Sequence, residues 1–99
     1  MPDERNIVFV GAKPFMNYVT AVVMQFTTVG TDQVKVMSRG KFISKAVDVC
    51  EVSSKKFLEK MIEVENIKIS SEEFENKDKR KIRVSAIEIT LKKKKDSPT

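Results

Sequence analysis

Two stretches of alternating apolar residues late in the chain, 62–69 and 82–91, bracket the polar run Glu75-Asn76-Lys77-Asp78-Lys79. A period of two is the strand pattern, and two such stretches joined by a polar connector close as a long antiparallel hairpin. In each stretch the parity of the apolar positions switches, between Val64 and Ile67 and between Ala86 and Ile87. Because side chains alternate strictly between faces, such a slip implies a bulge, or a strand apolar on both sides in places.

The first half of the chain alternates strand and helix patterns. Asn6-Ile7-Val8-Phe9-Val10 is a short, nearly continuous apolar run, which suits a strand buried on both faces of a parallel sheet. Gly11-Ala12-Lys13-Pro14 breaks it, and Pro14 suits the first turn of a helix, where a missing N–H costs nothing. Met16, Val19, Val23 and Phe26 then recur at helical spacing, and Gly30 ends the segment. Gln33-Val34-Lys35-Val36-Met37 alternates as a second strand, and Ser38-Arg39-Gly40 reads as a turn. Ile43, Val47, Cys50, Phe57 and Met61 fit one face of a second helix and its exit, with Lys41 and Lys45 in its first turn. The order is βαβαββ. A crossover helix between the first two strands makes them parallel and right-handed, and the hairpin adds antiparallel strands, so the expected fold is a mixed, two-layer α/β (α+β) sheet. The 99 residues are expected to form a single domain, with its core in residues 6–93 and a frayed end over 94–99. A chain this short buries a modest share of its surface and often gains stability by oligomerising, which favours a dimer.

Chemistry is limited by what is missing. With no histidine and one cysteine, Cys50, the chain has no His base, no Cys/His zinc site and no internal disulfide. Cys50 lies on the apolar face of the second helix and reads as a small buried hydrophobe. Gly11-Ala12-Lys13-Pro14 lacks the second glycine and the Lys-Ser/Thr ending of a phosphate-binding loop. No enzyme activity, metal or cofactor is expected. No stretch approaches the roughly 20 apolar residues of a spanning helix, and no basic leader precedes an apolar run, so a cytoplasmic chain with no membrane partner is expected.

The formal charge is +5 and is unevenly spread. Residues 33–47 carry four basic groups and no acid, residues 48–75 eight acids against four lysines, and residues 77–95 nine basic groups against two acids. Two basic blocks separated by an acidic one can converge on a single face, and cations set against phosphates bind nucleic acid by counterion release. Lys13 sits at the first strand-to-helix turn, and Arg39, Lys41 and Lys45 at the second. Both turns leave the carboxyl ends of parallel strands, so these residues share one edge of the sheet. Lys77, Lys79, Arg80, Lys81 and Arg83 line the hairpin, which can follow a groove. A single Tyr18 and no Trp argue against a base-stacking platform.

Three blocks carry a resemblance to a known family. Gly11-Ala12-Lys13-Pro14-Phe15-Met16-Asn17-Tyr18-Val19 is similar to the G-K-K-P-x-M-N-Y-V signature of Alba chromatin proteins. The run from Ser38 to Asp48 resembles their A-R-G-R-A-I-S-K-A-V-D, and the run from Arg83 to Ile89 their R-V-S-T-I-E-I. The resemblance runs from about Asn6 to Lys93. It implies an archaeal, chromosome-associated, homodimeric protein that binds double-stranded DNA largely without sequence preference, with RNA as the alternative partner. It also implies that Asn17 and Tyr18 join the basic residues at the interface, and that neighbouring dimers pack through Phe57. The family's first lysine in G-K-K-P, linked to regulation by acetylation, is Ala12 here, and its second arginine of R-G-R is Lys41. Lys41 lacks the bidentate fork of arginine. The hairpin tip carries no glycine.

Overall fold

The computed structural model describes residues 6–94. The elements are β1 (Ile7–Val10), α1 (Phe15–Met24), β2 (Gln33–Arg39), α2 (Ile43–Val52), β3 (Ile62–Glu75) and β4 (Lys81–Lys93). They form one sheet in the order β1-β2-β4-β3. β1 and β2 pair in parallel, whereas β4 runs antiparallel to both β2 and β3. This is the expected two-layer α+β arrangement, with both helices on one face of the sheet.

Covering one face sets which residues are buried. Val8, Val10, Val34, Val36, Ile89 and Leu91 point from the sheet into the helices and meet Val19, Val22, Phe26, Ala46, Val49, Cys50 and Leu58. Ile7 and Phe9 point the other way, and Phe9 is 53% exposed. The expectation of a first strand buried on both faces is therefore corrected, because among the described residues no helix lies on that side. The stripe of α1 is also displaced. Tyr18, Val19, Val22 and Phe26 are buried, whereas Met16 is exposed and Val23 only half-buried. A tyrosine turns inward here because its hydroxyl accepts the Lys13 N–H in the loop that follows β1. On α2 the buried residues are Ala46, Val49 and Cys50, and Val47 is exposed.

Both helices run on into one π-type turn, Gln25–Val29 and Ser53–Phe57. The first closes at Gly30 in the left-handed region, φ 79°. β2 extends two residues beyond its expected end, so Ser38 and Arg39 are strand. The chain then turns at Gly40, φ 56°, where a side chain would be strained.

β3 carries its parity switch as a bulge. Val64 pairs with Leu91 and Asn66 with Thr90, leaving Glu65 as the extra residue. β4 holds an unbroken register, and its switch is the second alternative, a strand apolar on both faces: Ile87, Ile89 and Leu91 toward the core, Ile82, Val84 and Ala86 away from it. Beyond Ala86, which pairs with Arg39, β4 leaves β2 and continues only with β3 as a two-stranded arm. At the other end, the Lys94 N–H donates to the Met61 carbonyl at 3.0 Å. The rest of the expected frayed end, 95–99, lies outside the described residues.

Candidate nucleic-acid interface

Two turns meet at the carboxyl edge of the parallel pair. The first, residues 11–14, joins β1 to α1, and the second, centred on Gly40, joins β2 to α2. Because β1 and β2 are neighbours, the turns are neighbours too. The Lys45 Nζ on the first turn of α2 donates to the Gly11 carbonyl at 2.7 Å and the Lys13 carbonyl at 2.6 Å. On the other side of that loop the Lys13 N–H donates to the Tyr18 Oη at 3.0 Å. Beneath it the buried Ser38 hydroxyl donates to the Val10 carbonyl at 2.9 Å. The Lys13 side chain stands exposed above this framework, with Asn17 exposed one helical turn on.

Tyr18 is 8% exposed. What it offers the site is support from behind, through its hydroxyl and through the ring over which the Lys45 ammonium lies, 5.2 Å from the centroid. Lys41 is exposed, its Nζ 5.4 Å from the Phe42 ring centre, and Lys45 lies 5.8 Å from the same ring. Arg39 ends β2 on the uncovered face of the sheet, its guanidinium 5.7 Å from the Phe9 ring centre and 3.6 Å from the Glu72 carboxylate. Lys13, Arg39, Lys41 and Lys45 therefore gather at one edge.

The hairpin cations form a separate group. From Ala86, opposite Arg39, to Lys81 is five residues, about 17 Å of strand. Within the arm, antiparallel register sets Glu73 against Arg83 and Glu75 against Lys81. Glu73 lies 3.5 Å from the Arg83 guanidinium and 4.0 Å from the Lys81 ammonium. Lys77, Lys79 and Arg80 sit at the tip, with no ion pair to a described residue. The tip closes without glycine because Asn76 takes over the turn. Its Oδ1 accepts the N–H groups of Asp78 at 2.9 Å and Arg80 at 3.0 Å, while Lys79 takes the left-handed conformation, φ 61°. An Asn that caps its own turn in this way is a common substitute for a backbone turn.

Sequence reading missed two features. One is the acidic lining of the arm, which was readable once the turn was centred on residues 76–80. The other is the inward commitment of Lys45, for which there is no sequence signal, because its partners are backbone carbonyls.

Other chemistry finds little here. Cys50 is buried, and its thiol is pushed up to about 12, first by burial and then by the charge of Glu51. Among the described residues no cluster of three metal-ligating side chains occurs, and no helix is long and apolar enough to cross a membrane. Phe57, at the end of its π-type turn, is 52% exposed.

Comparison with known proteins agrees with the fold and the motifs. Residues 6–71 match the Alba family model. A protein named DNA/RNA-binding protein Alba from Methanothrix thermoacetophila is 53% identical, over 91% of this chain and 98% of that one. One of the same name from Methanocella arvoryzae is 47% identical, over 94% of each. The structure of Alba from Thermoplasma volcanium superposes with a TM-score of 0.80 at 45% identity, covering 88% of this chain and 99% of that one. With the motifs, the topology and these relatives in agreement, the chain belongs to the Alba family.

Proposed function

We propose that the chain is a non-catalytic nucleic-acid-binding protein that acts as a homodimer on duplex DNA, with little sequence preference, and organises the chromosome in the cytoplasm. The observation that carries the reading is the exposed pair Lys13 and Lys41 on neighbouring turns, with a basic-tipped arm leaving the same sheet. Phosphates are the ligand such a layout fits: dispersed cations on neighbouring turns and along an arm, which suit a repeated backbone charge. The names of the relatives support nucleic acid as the partner and cover both DNA and RNA.

The dimer reading rests on apolar surface. Val64, Ile67 and Ile69 on edge strand β3 share the core-facing side of the sheet with Leu91, Ile89 and Ile87, yet are 44%, 57% and 77% exposed. Val47 on α2 and Met61 before β3 add to the exposed apolar surface. An exposed edge strand with an apolar face needs a cover, and a second copy of the chain supplies one of matching character. Phe57, exposed elsewhere, is then available for contact between neighbouring dimers on DNA.

Fluorescence anisotropy with random duplex DNA across a salt series, repeated with duplex RNA, tests the proposal. Steep salt dependence with DNA bound at least as tightly as RNA supports it. A clear RNA preference moves the function to RNA handling. Absence of binding to both refutes it.

A further inference from the structure

Lys45 differs from its basic neighbours in where its charge goes. Lys13 and Lys41 are exposed, whereas Lys45 is half-buried. An ammonium has three donors, and two of those on Lys45 are spent on the Gly11 and Lys13 carbonyls. Its remaining surroundings include the faces of Tyr18 and Phe42. Carbonyl oxygens and ring faces both present partial negative charge, so the cation is satisfied from within the protein. To meet a phosphate it would have to abandon one of these carbonyls or share its last donor.

The two carbonyls belong to a loop that has little else to hold it. Ala12 is small, Pro14 has no N–H, and the loop spans only four residues between β1 and α1. Lys45 fixes the carbonyl side of Lys13, and the Tyr18 hydroxyl fixes its N–H side. With both polar groups of its backbone held, Lys13 presents its side chain from a set position.

We infer that Lys45 is a positioning residue: it clamps the first turn from the second, so that Lys13 is held out toward an anionic partner, and it makes no phosphate contact itself. The clamp is a property of the free chain, whereas its consequence for binding rests on the nucleic-acid reading above. The clamp also links the two turns, so Lys13 and Lys41 keep a constant spacing across the gap between β1 and β2.

Replacing lysine by arginine separates the two roles. An arginine at a phosphate contact keeps the charge and gains a bidentate fork, so it binds at least as well. A guanidinium is planar and reaches farther than an ammonium, so it is expected to bridge the two carbonyls only by displacing the loop they belong to. Lys45→Arg is therefore expected to weaken duplex binding roughly 5-fold, with a salt slope no steeper than that of the native chain, because position 45 itself neutralises no phosphate. Lys13→Arg and Lys41→Arg are expected to bind as tightly as the native chain or more tightly. Lys45→Arg binding as tightly as the native chain overturns the inference.

Acylation of the native chain by an N-hydroxysuccinimide ester, read by mass spectrometry, needs no variant and no nucleic acid. Lys45 is expected to react more slowly than Lys13 and Lys41 in the free chain, because its nitrogen must give up the two carbonyls before it can attack the ester. Lys45 reacting as fast as Lys41 overturns the clamp. Added duplex is expected to protect Lys13. Slow Lys45 with no duplex protection of Lys13 upholds the clamp and refutes the nucleic-acid reading instead.

Discussion

The Glu73 carboxylate lies 3.5 Å from the Arg83 guanidinium across the arm, in a register that sets the two residues directly opposite each other. Glu73 also reaches Lys81, so one acid occupies two of the five hairpin cations. Both partners are largely exposed, and such pairs contribute little to stability. Under the proposed function their effect falls on binding, because an arm cation that meets a phosphate must first give up this carboxylate. Glu73→Gln is expected to tighten duplex DNA binding about 2- to 5-fold and to steepen its salt slope, with a folding stability change below about 0.5 kcal/mol. Anisotropy and urea denaturation check both parts. Unchanged affinity would mean that Lys81 and Arg83 do not meet phosphate.

The arm tip depends on Asn76 and tolerates Lys79 in an unfavourable conformation. Asn76→Ala leaves two N–H groups without their acceptor and is expected to cost about 1 kcal/mol. Lys79→Gly relieves the left-handed strain and is expected to stabilise by about 1 kcal/mol. Thermal denaturation of the two variants should move in opposite directions. A neutral Asn76→Ala would show that the turn holds without its side-chain acceptor.

The apolar flank of β3 makes a sharper statement about assembly. Ile69 is 77% exposed in one chain, so Ile69→Asp costs the isolated fold little. Facing a second copy, the same carboxylate would be buried without a partner and would disfavour association. Sedimentation velocity should show a dimer for the native chain and a shift to monomer for Ile69→Asp, with the circular dichroism spectrum unchanged. A variant that stays dimeric moves the interface elsewhere.

Cys50 gives a pH dependence of known sign. Its thiol is raised from 9.0 to about 12 in the folded chain. Between those values the unfolded chain has lost the proton that the folded chain keeps, so stability falls as pH rises. The contribution is complete below pH 9.0 and is lost by about 12, with a steepest slope of about 1.4 kcal/mol per pH unit. Cys50→Ala lacks this loss, so its stability deficit relative to the native chain should shrink between pH 8 and pH 11. A constant deficit in urea denaturation would show that the thiol is not perturbed. Alkylation of the native thiol at pH 8 should also be slow.

Much of this architecture can be read directly from the residues. The order of elements follows from where the apolar period changes between two and 3.6, and the bulge at Glu65 follows from one parity switch. What escapes is whatever depends on which face is covered. The run around Phe9 is apolar enough for a doubly buried strand, and only the placing of both helices on one side leaves that ring exposed. Tyr18 escapes because its burial depends on its hydroxyl reaching Lys13. The basic residues of the candidate interface stand out by charge, but charge does not say which cation faces outward. Lys45 and Lys41 are alike in sequence and differ only in that two carbonyls lie within reach of one of them.

The unbroken register of β4 has a mechanical consequence. Ile89 is anchored in the core and Lys81 lies next to the tip, and beyond the bulge at Glu65 the pairing with β3 runs without a shift between them. The arm is therefore a ruler graduated in residues. Inserting two residues in each strand would lengthen it by about 7 Å and keep every side chain on its face. Inserting one in each would turn the tip over, moving Phe74 and Ile82 to the side now held by Glu73 and Arg83.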